Sequence, residues 1–138
     1  MVDEGKLRSL LDRLAAARHD LRRLQAMGRQ DVRGDVDRLN SAKYLFILAA
    51  EVCIDIGNHV IAAESLRAPE TFSDVVRVLA ESAWLDDDLA DRLAEMARFR
   101  NLLVHGYADV DDDRVVEILH TSLGDLEDYA AAVAAGLS

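Results

Sequence analysis

Cysteine, proline and strand-like alternation are nearly absent from this 138-residue chain, and each absence removes a class of protein. With Cys53 alone, an internal disulfide and any cysteine-based zinc site are excluded. Its apolar neighbours make it read as a buried core thiol in a reducing compartment. No two of the four histidines (His19, His59, His105 and His120) stand four apart, and no His-Glu-x-x-His pattern occurs, so a metalloprotease-type site is excluded. No Gly-rich phosphate loop is present, and no glycine elbow surrounds a serine, which removes the nucleophilic hydrolases. The opening MVDEGKLRSLLDRL lacks an apolar core behind a basic stretch, so we expect no export signal. No run of about 18 apolar residues is free of charge, so no membrane span is expected either. The expectation is a soluble, cytoplasmic protein that calls for neither metal nor cofactor.

What is present is helix. Hydrophobic residues make up 51% and charged residues 30%, enough for a core. Leu7, Leu10, Leu11, Leu14, Leu21 and Leu24 form one stripe and predict a helix over about 3–27. A polar connection, GRQDVRG, follows at 28–34. Asp35 or Asp37 can cap a second helix running to about Leu66. Its centre is apolar on more than one face, which predicts burial on two sides: the core, and a second subunit. The single proline, Pro69, breaks the pattern before a short helix over about 73–83. Asp86–Asp88 and Asp111–Asp113 put negative charge at the starts of helices over about 87–105 and 113–135. The sequence therefore predicts one all-α domain over 1–138, a bundle of four main helices plus a short additional one.

Charge is unevenly placed. The formal net charge is −10, which argues against a general nucleic-acid coat. Residues 1–43 nevertheless carry 10 Lys+Arg against 7 Asp+Glu, and residues 44–138 carry 6 against 19. Taken alone, the cluster of Arg18, Arg22, Arg23, Arg29, Arg33 and Arg38 reads as a solvated helix face. A restricted basic site on an acidic body remains compatible with this balance.

One segment carries chemistry. The helix over 87–105 ends Arg98-Phe99-Arg100-Asn101-Leu102-Leu103-Val104-His105-Gly106-Tyr107. Arg100 and His105 form R-x4-H, and Tyr107 extends it to R-x4-H-x-Y. An imidazole titrates near neutrality and can move a proton, while a guanidinium holds a phosphate through two hydrogen bonds. On an ideal helix, Arg100 and His105 stand about 140° apart, whereas Arg98 and Asn101 each share a face with His105. Either the helix loosens near His105, or the long Arg100 side chain swings round, or Arg98 takes part. We take Arg100 as the motif residue with Arg98 and Asn101 supporting.

RNLLVHGY resembles the R-x4-H-x-Y signature of the HepT-like toxins, the DUF86 group of the HEPN superfamily. Ala49–Val60, AAEVCIDIGNHV, is similar to that group's long second helix, and the likeness extends over about residues 4–135. The resemblance implies a HEPN-like bundle acting as a metal-independent endoribonuclease, the toxin of a toxin–antitoxin pair. It implies a homodimer that brings two such motifs into one cleft to act on RNA. His105 would be the general acid or base on the ribose 2′-hydroxyl or leaving oxygen, and Arg100 would stabilise charge on the phosphate. Asn101 fills the polar position after the arginine. Tyr107 matches the tyrosine that a cognate MntA-like minimal nucleotidyltransferase antitoxin modifies with AMP, and that enzyme would be a separate protein.

Blander readings stand beside these. His105 at a helix C-terminus also suits a simple dipole partner. Asp55 and His59, four apart, read as a satisfied buried pair; Trp84 and Phe72 as core anchors; Tyr44 as packing; His19 and His120 as surface residues. The alternative function is a non-catalytic helical module that binds a nucleotidyltransferase or a nucleotide.

Overall fold

The computed structural model describes residues 2–137, and among them there are helices and no strand. Asp3 starts α1 (Glu4–Ala26) by accepting a hydrogen bond from the Lys6 amide. A five-residue helix, α2 (Arg29–Arg33), occupies what the sequence suggested was only a polar connection. The correction has a simple cause: Val32 is fully buried, and burying it requires the turn to close. Asp35 caps α3 (Val36–Ala63) by accepting from the amides of Asp37 and Arg38. Thr71 caps α4 (Phe72–Glu81), and Asp86 caps α5 (Asp87–His105). A single 3-10 turn, Tyr107–Asp109, leads to α6 (Asp112–Thr121), capped by Asp111, and then to α7 (Leu123–Gly136).

Two predicted helix ends move. The second long helix stops at Ala63 and not near Leu66, because Ser65 turns left-handed at φ 53° and the Leu66 amide returns to the Ile61 carbonyl. This is a Schellman ending, and α4 ends the same way at Ala83, φ 63°, with the Trp84 amide on the Leu79 carbonyl. The predicted helix over 113–135 is broken at Ser122, between α6 and α7. Ser122 and Gly124 are weak helix formers, and the break lets α6 pack on α2 and α3 while α7 packs on α1 and α5.

The long helix α3 is the centre of the bundle and touches α1, α2, α4, α5 and α6. It is long and apolar enough to cross a membrane by length and composition, but 56% of its most apolar 18-residue stretch is buried by the other helices. Phe46 on α3 meets Phe99 on α5 edge-to-face, with centroids 5.6 Å apart. Tyr129 on α7 is fully buried and donates to the Cys53 carbonyl at 2.8 Å. Cys53 is buried as read from sequence, and burial pushes its thiol up to about 12, which keeps it protonated and unreactive. Trp84 is partly buried as an anchor and packs on the core near Gly136. Tyr44, by contrast, is 60% exposed, so its reading as packing is corrected.

At Gly57, α3 packs tightly against side chains of α4 and α7. A methyl group there would stand 2.4 Å from Val75 Cγ1 and 3.4 Å from Leu79 Cδ1 and the Tyr129 hydroxyl. Gly57→Ala is therefore expected to destabilise the protein by about 1–3 kcal/mol, read as a lower Tm by circular dichroism. An unchanged Tm would mean that these helices have slack. At Ala83 the left-handed turn penalises any Cβ, so Ala83→Gly should stabilise by about 0.5–1 kcal/mol despite the freer unfolded chain. In the same thermal melt, a lower Tm for this variant would refute that account.

Candidate active site

Arg100 lies in the last turns of α5 and points toward α3 and α4, not along α5. Its Nε donates to Glu51 Oε1 at 2.8 Å, its Nη2 also contacts that oxygen, and its Nη1 donates to Asn101 Oδ1 at 2.9 Å. Its guanidinium stacks on the Phe72 ring, with Cζ 4.4 Å from the centroid. The Arg100 side chain is 13% exposed and Glu51 is 40% exposed, so the pair sits at the edge of the core. Phe72 thus does more than anchor: it is the floor on which the guanidinium rests. A guanidinium has five N–H groups, and these contacts leave one on Nη1 and one on Nη2 for an incoming phosphate.

His105 is the last residue of α5 and is exposed. Gly106 closes the helix behind it, its amide on the Leu102 carbonyl at 2.8 Å. Among the described residues the His105 side chain has no hydrogen bond or ion pair. No hydrogen bond joins Arg100 to His105 among the described residues, in keeping with their 140° separation on the helix. Arg98 is exposed on the outer face and pairs with Glu95 at 2.7 Å. Asn101 supports Arg100 and has no bond to His105. Leu102 and Val104 beside His105 are 51% and 43% exposed, an unusual pair of apolar side chains to leave in water.

Tyr107 follows on the 3-10 turn. Its hydroxyl donates to Asn40 Oδ1 at 3.0 Å, and Lys43 Nζ lies 4.8 Å from its ring centroid. Lys43 also lies 3.3 Å from Asp112 Oδ1. Three side chains of α3, Asn40, Lys43 and Glu51, thus receive the motif segment. None of them has a role legible in the sequence, because residues 49 to 67 positions apart carry no local spacing signal.

The remaining candidates sort differently. His59 Nε2 accepts from the Asp3 amide at 3.2 Å and holds the start of α1; no bond joins it to exposed Asp55 among the described residues. His120 is partly buried between the carbonyls of Val116 and Gln25, so its surface reading is corrected; His19 is exposed. Five of the six clustered arginines have carboxylates within 4 Å, three of them on other helices: Arg22 with Glu127, Arg29 with Glu117, and Arg33 with Asp113. The buried Nε of Arg18 has no hydrogen-bond partner among the described residues. No group of three or more His, Cys, Asp or Glu side chains is placed to hold a metal ion among the described residues.

Residues 14–133 match the family model described as ribonuclease HepT-like. The chain belongs to the HepT-like ribonuclease family. It is 33% identical over 85 residues to the mRNA nuclease HepT of Shewanella oneidensis, an alignment covering 62% of this chain and 64% of that relative. The fold is similar to that of the tri-AMPylated Shewanella oneidensis HEPN toxin in complex with MNT antitoxin, with a TM-score of 0.86, 25% identity, and coverage of 94% of this chain and 96% of that one. The cytosolic protein YutE of Bacillus subtilis shares the fold at a TM-score of 0.84 and 19% identity, over 99% and 91% of the two chains. The architecture is thus an all-α HEPN bundle.

The support beneath Arg100 depends on a further ion pair. Arg67, in the loop before α4, holds Asp74 and Glu81 on α4. The guanidinium and the Glu70 amide lower the Asp74 carboxyl from 3.8 to about 2. A lowered carboxyl adds stability that is complete above its unfolded value and lost as pH falls toward the folded one. Asp74→Asn should therefore melt below the parent protein at pH 7, and the gap should close between about pH 4 and pH 2. A gap that persists at pH 2 would show that the carboxylate's charge is not what anchors α4.

Proposed function

We propose that this chain is the toxin of a toxin–antitoxin pair, a metal-independent endoribonuclease of the cytoplasm. The observation that carries the reading is the restrained Arg100, with N–H groups still to offer, five residues before an unencumbered, exposed His105. RNA suits such a site because its own 2′-hydroxyl is the nucleophile. A histidine base takes the 2′-hydroxyl proton, the 2′-oxygen attacks phosphorus, and the bond to the 5′-oxygen breaks. The departing 5′-oxygen takes a proton from a histidine acid. Arg100 stabilises the charge that grows on the non-bridging oxygens.

One imidazole cannot be base and acid at the same moment, and His105 does not meet Arg100 within the chain. A homodimer supplies the second histidine and the second arginine. Tyr44, Leu102 and Val104, exposed by 60%, 51% and 43%, together with partly buried Ile47 and Leu48, offer apolar surface for such a partner. Asn101 braces Arg100, and Arg98 on the outer face is available to RNA. AMP placed on Tyr107 by a nucleotidyltransferase antitoxin, a separate protein, sets a bulky anion beside the site. It blocks RNA by volume and by like charge. The paired arginines and the acidic body limit non-specific RNA affinity to weak binding. The alternative, a silent module that binds a nucleotidyltransferase or nucleotide, predicts that His105 is dispensable.

Expression of the chain alone should arrest growth and cleave RNA. His105→Ala should lower cleavage by about 10²–10⁴-fold and abolish the arrest. Harmless expression of both proteins, with no cleavage by either, would refute the ribonuclease reading. A small nucleotidyltransferase with a G-S-x10-D-x-D motif in the neighbouring reading frame would identify the antitoxin.

A further inference from the structure

Among the described residues, Lys43 is the one buried charged residue, at 7% exposure. An ammonium buried in a helix bundle costs solvation, and methionine of similar length would fill the space without that cost. Its three neighbours account for where it sits: Asp112 Oδ1 at 3.3 Å, the Tyr107 carbonyl at 3.5 Å, and the Tyr107 ring with its centroid at 4.8 Å. Two of the three belong to Tyr107. From the adjacent turn of α3, Asn40 Oδ1 takes the hydrogen of the Tyr107 hydroxyl at 3.0 Å. A 38%-exposed tyrosine on a three-residue 3-10 turn is thus fixed at its carbonyl, its ring face and its hydroxyl. Packing needs no such restraint on a side chain that remains open to solvent.

We propose that Asn40 and Lys43 are positioning residues that present Tyr107 as the acceptor for AMP transfer. The proposal rests on the reading that Tyr107 is the modified residue. In the transfer, the Tyr107 hydroxyl oxygen bonds to the α-phosphorus of ATP held by the nucleotidyltransferase. The bond from that phosphorus to the β-phosphate's bridging oxygen breaks, pyrophosphate leaves, and the phenol proton passes to water. Asn40 fixes the direction of the attacking oxygen, so that less orientational freedom is lost on reaching the transition state. Once the ester has formed, the phenol hydrogen is gone. The Asn40 amide then turns its Nδ2 donor toward the new oxygen, and the Lys43 ammonium lies beside the added anion. Neither residue bonds to Arg100 or His105, so RNA cleavage does not require them.

The test pairs two rates measured on the same proteins: AMP incorporation by mass spectrometry, with ATP and the nucleotidyltransferase from the neighbouring reading frame, and RNA cleavage by the unmodified chain. Asn40→Ala and Lys43→Met should each slow AMP incorporation by about tenfold while RNA cleavage stays within about twofold of the parent. Asn40→Gln, which keeps a carbonyl acceptor, should recover most of the loss; a purely structural role would not follow the acceptor in this way. The inference is overturned if both variants take up AMP at the parent rate, or if AMP incorporation and cleavage fall together. A parent chain that cleaves RNA but takes no AMP on Tyr107 would overturn the underlying reading as well, and would be told apart by the parent measurement alone.

Discussion

The constraint on which this molecule turns is the double duty of α3. Five other helices bury against it, so its sequence must be apolar on most of its circumference. The same helix must also offer polar groups to the segment that carries the arginine, the histidine and the tyrosine. Both demands are met by spacing. Asn40, Lys43 and Glu51 fall on the side that faces α5 and the 3-10 turn, while Leu39, Ala42, Phe46, Ala49 and Ala50 fill the core between them. Asn40 and Glu51 are about 16 Å apart along the helix axis. Because Glu51 meets Arg100 and Asn40 meets Tyr107, the motif segment runs antiparallel to α3.

How much of this was readable beforehand follows from the range of each signal. Helix starts are written locally: Asp3, Asp35, Asp86 and Asp111 each accept from an amide two or three residues on, and all four stand where the helices were expected to begin. Stripes of leucine and valine placed the long helices for the same reason. Helix ends were less legible, because Ser65 and Ala83 adopt a left-handed turn that normally advertises itself as glycine. The break at Ser122 and the closure of α2 are decided by tertiary packing, which local propensity does not encode. For the site, the motif gave Arg100, His105 and Tyr107 but not their partners. Glu51, Phe72, Asn40 and Lys43 are joined to it only by the folded topology.

The charge distribution gains a different meaning from the same comparison. Read along the chain, the excess of arginine in the first 43 residues is a solvated helix face. In the fold, Arg22, Arg29 and Arg33 instead tie α1 and α2 to α6 and α7 through carboxylates. These pairs are half-exposed, so each adds little stability, about 0–1 kcal/mol. Their larger effect is to cancel the positive field that an RNA backbone would have felt. On the ribonuclease reading, local attraction then falls to Arg100, whose charge is partly offset by Glu51, and to the exposed Arg98.

That offset bears on specificity. An arginine with every donor free attracts any phosphate, whereas one already forked onto a carboxylate and stacked on a ring responds to an anion that reaches its remaining N–H groups. His105 stands about 140° round α5 from Arg100, and no hydrogen bond joins the two among the described residues. On the dimeric reading, the separation is useful: each copy keeps its arginine braced and its histidine in the open, and only assembly sets the two side by side. On that reading a lone chain holds its catalytic groups apart, and the acidic body keeps stray nucleic acid at low occupancy.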